Sequence, residues 1–191
     1  MTAKEFFDEL NLKIKGDNEI KGLYYGKCIA DFTYEIMALI RKIFEDKKIK
    51  FSNEYYRIDG FAWERVPVNM PVPDEKFHVQ SWKPVAAIEH ENNSHSWLDE
   101  VVKLLYVRCP LKVVICYHSV KKKKEDYADF AAKVIENLGV FPEENEEFLL
   151  MIGNTGCKNK PEKYFGYEPF LWNSTDKKFV RQDWKVYTPS L

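Results

Sequence analysis

Two short apolar runs with a helix-patterned stretch between them constrain this chain more than any other feature. The first run, Val85-Ala-Ala-Ile-Glu-His-Glu, is apolar until it ends in charge. Asn92-Asn93-Ser94-His95-Ser96 follows with turn and N-cap chemistry, and Trp97, Val101, Leu104 and Leu105 make the inner face of a helix over 96–108. Pro110 closes that helix, and Leu111-Lys-Val-Val-Ile-Cys-Tyr-His is a second buried strand. Strand, helix, strand in this order predicts a parallel pair with a crossover helix. The expected class is α/β, a mixed β-sheet flanked by helices.

The remaining segments fit around that unit. Ile29, Phe32, Ile36, Leu39, Ile40 and Ile43 recur at helical spacing and predict a helix from about 27 to 46. Residues 1–20 read as a short amphipathic helix and a loop. The aromatic, β-branched stretch 51–66 reads as strand, with a hairpin bending at Gly60. Four prolines make 67–84 a loop. Tyr127, Phe130, Ala131, Val134, Ile135 and Leu138 predict a helix stopped by Gly139. Residues 148–153 and 164–172 read as strands, and 179–187 as an edge strand. No repeat or linker divides the chain, so a single domain over 1–191 is expected.

Composition narrows the class further. Hydrophobic residues make up 45% and charged residues 31%, an ordinary globular balance rather than a disordered one. Cys28, Cys109, Cys116 and Cys157 form no C-x-x-C pair and read as reduced thiols. The first residues lack a signal-peptide apolar core, and no apolar run approaches the roughly 18 residues of a membrane span. A cytoplasmic protein without membrane contact is expected. A net charge of −1 argues against a protein that coats nucleic acid, though not against a DNA enzyme with a local basic surface.

The chemistry-bearing feature is a carboxylate on one strand followed by Glu-x-Glu at the end of the next. Alternation puts Glu89 and Glu91 on one face and His90 on the other, while Arg57, Asp59 and Phe61 share a face of the preceding strand. If the strands are neighbours, Asp59 stands beside Glu89. Converging carboxylates repel one another unless a cation neutralises them, and hard oxygen ligands suit Mg²⁺ or Mn²⁺. The plainer alternative is an Asp-Gly turn or bulge and a solvated strand end.

Ile58-Asp59-Gly60, then Ile88-Glu89-His90-Glu91, then a helix and a strand resemble the PD-(D/E)xK, restriction-endonuclease-like nuclease superfamily. The likeness covers residues 27 to 118, and Glu91 stands where the family's lysine is usual. The resemblance implies a Mg²⁺- or Mn²⁺-dependent endonuclease acting on DNA, of the kind found in restriction or defence. Asp59, Glu89 and the main-chain carbonyl of His90 would hold the ion, and Glu91 would hold a second ion or take the water's proton. Glu35, on the leading helix, matches a position where some members add a carboxylate. Lys103, on the following helix, supplies the missing positive charge if its face turns toward the strands. Many enzymes of this type form homodimers to cut both strands. The competing reading is a nuclease-like fold that has lost catalysis and binds nucleic acid or protein; a glycosidase using two carboxylates lacks support from the strand order.

Other residues carry weaker signals. Lys121, Lys122, Lys123 and Lys124, with Lys158, Lys160 and Lys163, are a solvated run or a phosphate-contacting patch. Asn92 starts the helix or orients a phosphate. The aromatics Tyr164, Phe165, Tyr167, Phe170 and Trp172 are core or a base-stacking surface. His90 and His95 read as polar surface or cap residues rather than ligands, and His118, at a strand end, is a weaker ligand candidate still. No P-loop, G-x-S-x-G, G-x-G-x-x-G or H-E-x-x-H motif is present, and no basic partner for a catalytic thiol is apparent.

Overall fold

A computed structural model describes residues 1–17, 20, 23, 29–66, 82–93, 95–118, 123–154 and 166–184. Among these residues are four helices, α1 (Ala3–Gly16), α2 (Ile29–Asp46), α3 (Trp97–Leu105) and α4 (Lys124–Leu138). Seven strands, β1 (Lys50–Tyr55), β2 (Ile58–Arg65), β3 (Trp82–His90), β4 (Leu111–His118), β5 (Glu147–Asn154), β6 (Tyr167–Asn173) and β7 (Lys178–Arg181), form one sheet. Their spatial order is their sequence order.

The sheet is mixed. β3, β4 and β5 run parallel, joined through α3 and α4, while β1–β2–β3 and β5–β6–β7 are antiparallel. All eight residues of β4 are buried, as a parallel strand at the sheet's centre requires, because both faces are covered. One cover is α1 and α2, packed through Phe6, Leu10, Ile36, Ile40 and Phe44 on Ile88, Val113, Ile115 and Met151. The other is α3 and α4, packed through Trp97, Val101, Leu104 and Ile135 on Phe61, Ala87, Val114 and Leu150. Each such side chain, once fully buried, contributes about 1.5–3 kcal/mol.

Several boundaries differ from expectation for identifiable reasons. α1 runs the full Ala3–Gly16 because Thr2 and Glu5 form a reciprocal capping box at its start. Its inner face (Phe6, Phe7, Leu10, Ile14) reaches past the first ten residues. β3 starts at Trp82, inside the stretch read as loop; residues 67–81 lie outside the described ones.

The β1–β2 hairpin bends at Tyr56-Arg57, not at Gly60. Tyr55 pairs with Ile58, so the loop has two residues, and both have left-handed backbones, φ 49° and 64°. That is the geometry of a type I′ turn, usually built from Asn-Gly. A side chain there costs about 1–2 kcal/mol per residue. Gly60 instead lies in the middle of β2, where a Cβ would meet Phe51 Cζ at 2.6 Å and Met37 Cε at 2.8 Å. Its role is to let those side chains lie against the backbone beside Asp59.

Candidate metal centre

Antiparallel pairing of β2 with β3 sets Gly60 opposite Ile88, which brings Asp59 to the end of β3. One oxygen of Asp59 accepts the His90 N–H at 2.9 Å. In return the Asp59 N–H points at Glu89 Oε2, 3.4 Å away. The two carboxylates therefore meet on the sheet face covered by α3. Glu89 is fully buried, and Asp59 is half-buried.

α3 brings a cation to them. Its apolar stripe, Trp97, Val101, Leu104 and Leu105, faces the core, and this orientation turns the flank bearing Glu100 and Lys103 toward β2 and β3. Lys103 Nζ lies 2.9 Å from Glu89 Oε1, touches Glu100 Oε2, and donates to the Arg57 carbonyl at 3.0 Å. Lys103 is thus the cationic partner of the buried Glu89 Oε1.

Burial dominates the protonation of this cluster. It pushes Glu89 up to about 8; Lys103 pulls it back, and the charges of Asp59 and Glu100 add to the rise. Burial also raises Asp59, against the His90 N–H bond that favours its charge. For Lys103, burial alone would lower the value. The hydrogen bonds and charges of Glu100 and Glu89 outweigh it, so the ammonium is held protonated.

Among the described residues no group of three His, Cys, Asp or Glu side chains is arranged to hold a metal ion. Mg²⁺ does not require one, since it is commonly held by one or two carboxylates and keeps several waters. Asp59 and Glu89 provide that pair. A strand residue's N–H and C=O point the same way, so the His90 carbonyl faces the side on which Asp59 accepts the His90 N–H. The donor set is all oxygen, and a buried and a half-buried carboxylate, both held above their ordinary range, are what a cation would relieve. The residues present fit a hard divalent ion.

Among the described residues no hydrogen bond or ion pair joins Glu91 to this pair. β3 ends at His90, but the Glu91 N–H continues the pairing to the Ile115 carbonyl at 2.9 Å, and its side chain stays on the face covered by α3. Glu91 Oε1 accepts the Asn93 N–H at 2.6 Å and Oε2 accepts the Ser96 hydroxyl at 2.9 Å, so its charge is engaged at the start of α3. Asn92 donates from Nδ2 to Thr33 Oγ1, tying the strand end to α2. Glu35 is partly exposed on α2, which covers the opposite face, and among the described residues no hydrogen bond or ion pair joins it to Asp59 or Glu89. The His90 side chain is not a surface or cap residue: it is buried on that opposite face, bonds through Nε2 to the Tyr117 hydroxyl at 2.7 Å, and burial lowers it to about 3.

The lysine run divides. Lys121 and Lys122 lie outside the described residues, as do Lys158, Lys160 and Lys163. Lys123 is exposed at the start of α4, whereas Lys124 is buried and paired with Glu168 at 2.9 Å, so it belongs to the fold rather than to a phosphate-contacting surface. Tyr164 and Phe165 also lie outside the described residues, while Tyr167, Phe170 and Trp172 are buried core, not a stacking surface. His95 is exposed, and its N–H is held by Asn93 Oδ1. His118 is buried against the Gly153 carbonyl. Burial pushes Cys109 up to about 12 and raises Cys116 further, which removes both as thiolate nucleophiles.

Glu100 is the site residue that the motif did not supply. Its signal was the i, i+3 spacing to Lys103 on one helix face. No family model, no curated protein and no solved structure matches this chain. Among the described residues no helix is long and apolar enough to cross a membrane.

Proposed function

We propose that this protein is a Mg²⁺- or Mn²⁺-dependent nuclease that hydrolyses DNA phosphodiester bonds, of the kind restriction and defence systems use. The observation that carries the reading is the meeting of Asp59 and Glu89 on neighbouring strands with Lys103 against Glu89. Asp59, Glu89 and the His90 carbonyl would hold the ion, which when bound supplies Lewis acidity and a more acidic water. Asp59 is oriented by the His90 N–H, and Glu89 is kept in register by the Asp59 N–H. Lys103, held protonated, offers positive charge to a phosphate that gathers negative charge on displacement, and so acts as an electrostatic stabiliser and not as a base. It takes the place of the cation that the motif lysine provides in the superfamily. Glu91, engaged at α3, has no part in the chemistry.

One observation favours a second reading, a nuclease-like module that binds nucleic acid without cutting it. Lys103 already gives Glu89 a counter-ion without any metal. A plasmid-nicking assay separates the two. The nuclease nicks supercoiled DNA with Mg²⁺ or Mn²⁺ and not in EDTA. It loses nicking in Asp59→Ala and Glu89→Ala, and is slowed about 10²–10³-fold in Lys103→Met. Nicking that persists in EDTA, or in Asp59→Ala, would sink the proposal. DNA binding in EDTA with no nicking under either ion would establish the module.

A further inference from the structure

The β1–β2 turn bears an aromatic cluster that the core does not explain. Tyr56 at its tip is 82% exposed and Trp82, at the start of β3, is 40% exposed. They stand on Phe61, which is buried, and Tyr55, which is half-buried. Tyr55 stacks on Phe61 with ring centroids 5.1 Å apart, and Trp82 meets both Tyr55 and Phe61 edge-on at 5.5 Å. Tyr56 meets Tyr55 edge-on at 4.7 Å. The rings are thus braced against one another and leave aromatic surface open to solvent.

The same turn borders the carboxylate site. Phe61 shares its sheet face with Asp59, and Lys103 reaches from Glu89 to the carbonyl of Arg57. Asp59 lies three positions after Tyr56, at most about 11 Å along the backbone. The exposed residues flanking the rings are charged, namely Glu54, Arg57, Lys83 and Arg65, which pairs with Trp82 across the strands, and a guanidinium beside aromatic rings suits recognition of phosphate and base. Tyr56 and Arg57 also occupy left-handed positions that Asn-Gly would fill without strain, and such strain in a folded chain concentrates where a side chain is used.

Building on the nuclease reading of the adjacent site, we propose that Tyr56 and Trp82, with Arg57 beside them, form a stacking platform for an unpaired base, so that the site takes single-stranded nucleic acid. Bases stack on aromatic faces whatever their identity, and a neighbouring guanidinium holds the backbone. A base paired inside a duplex shows no free face to such a platform, so a supercoiled plasmid would be nicked where its strands part. Binding at the turn then sets the following phosphate within reach of Asp59, Glu89 and Lys103.

The test is binding in EDTA, where no cutting intervenes, read by anisotropy of a short fluorescein-labelled oligothymidylate and by quenching of tryptophan emission. The single strand should bind more tightly than a duplex of equal length. Affinity should fall roughly ten-fold in Tyr56→Asn and in Trp82→Leu, and Tyr56→Phe should retain it. Asn suits the left-handed backbone, so Tyr56→Asn should melt no lower than the parent, which separates lost stacking from lost folding. Tyr34→Ala, an exposed aromatic on α2 across the sheet, should change nothing. Unchanged oligonucleotide affinity in Tyr56→Asn and Trp82→Leu, or equal affinity for duplex, overturns the platform and leaves the rings to a protein partner. Single-strand binding that depends on Tyr56, with no cutting under Mg²⁺ or Mn²⁺, supports the platform while the nuclease reading fails.

Discussion

The carboxyl group of Glu89 sits where its own charge is disfavoured. Its folded-state value, about 8, lies above the ordinary 4.5, so folding favours the protonated form. That stabilisation is full below about pH 4.5 and is lost as the pH rises toward 8. Glu89→Gln, neutral throughout, escapes the loss. In EDTA, thermal denaturation should show the variant gaining on the parent across this window, by on the order of 1–4 kcal/mol at its upper end. Saturating Mg²⁺ should shrink the gap, because a bound cation favours the carboxylate; a difference independent of pH would refute the account. Asp59 and Glu89 were legible as neighbours because strand alternation and the order of strands fix them. Lys103 was not, because no rule in the sequence sets how a helix is rotated on a sheet to within one side chain. Alternation set Glu91 on the face of Glu89 but could not set its partners: its two oxygens are taken by the Asn93 N–H and the Ser96 hydroxyl.

At the level of elements, α3 is short and begins without a side-chain cap from Ser96, whose backbone is helical. Glu91 compensates by binding the Ser96 hydroxyl and the Asn93 N–H. Glu91→Ala should therefore cost about 1 kcal/mol in urea denaturation while metal-dependent nicking survives at low temperature. Abolished nicking in a folded Glu91→Ala protein would return that residue to the chemistry. A different joint holds β4 to β5. Lys112, nearly inaccessible, pairs with Glu146 at 2.6 Å, and Glu146 also accepts the Cys109 N–H at 3.1 Å. Glu146→Ala leaves that ammonium buried and unpaired and should cost about 3–5 kcal/mol by chemical denaturation. A cost under about 1 kcal/mol would mean that the pair is solvated. Elements themselves were readable wherever periodicity was strong, as in α2, α4 and β4. The hairpin was not, because Tyr-Arg carries none of the glycine or asparagine signature that marks a two-residue turn.

For the molecule as a whole, the sheet keeps sequence order; the two crossover helices of its parallel centre cover one face, and α1 and α2 cover the other. The mixed sheet was legible because one strand–helix–strand unit demands parallel neighbours. With a net charge of −1, the protein has few cations to spare for phosphates. If DNA is the ligand, plotting log affinity against log salt should give a shallow slope of about −2 to −4, from a handful of phosphate contacts. A slope near −8 would require a broad basic surface that this charge balance does not provide.

The ammonium nearest the paired carboxylates rides on a nine-residue helix and not on the sheet that carries Asp59 and Glu89. Warming should loosen that helix on its bed before the strands let go, since short peripheral segments open at lower free energy than central ones. Heat inactivation would then precede the cooperative melt, and cooling would restore turnover without any refolding of the sheet.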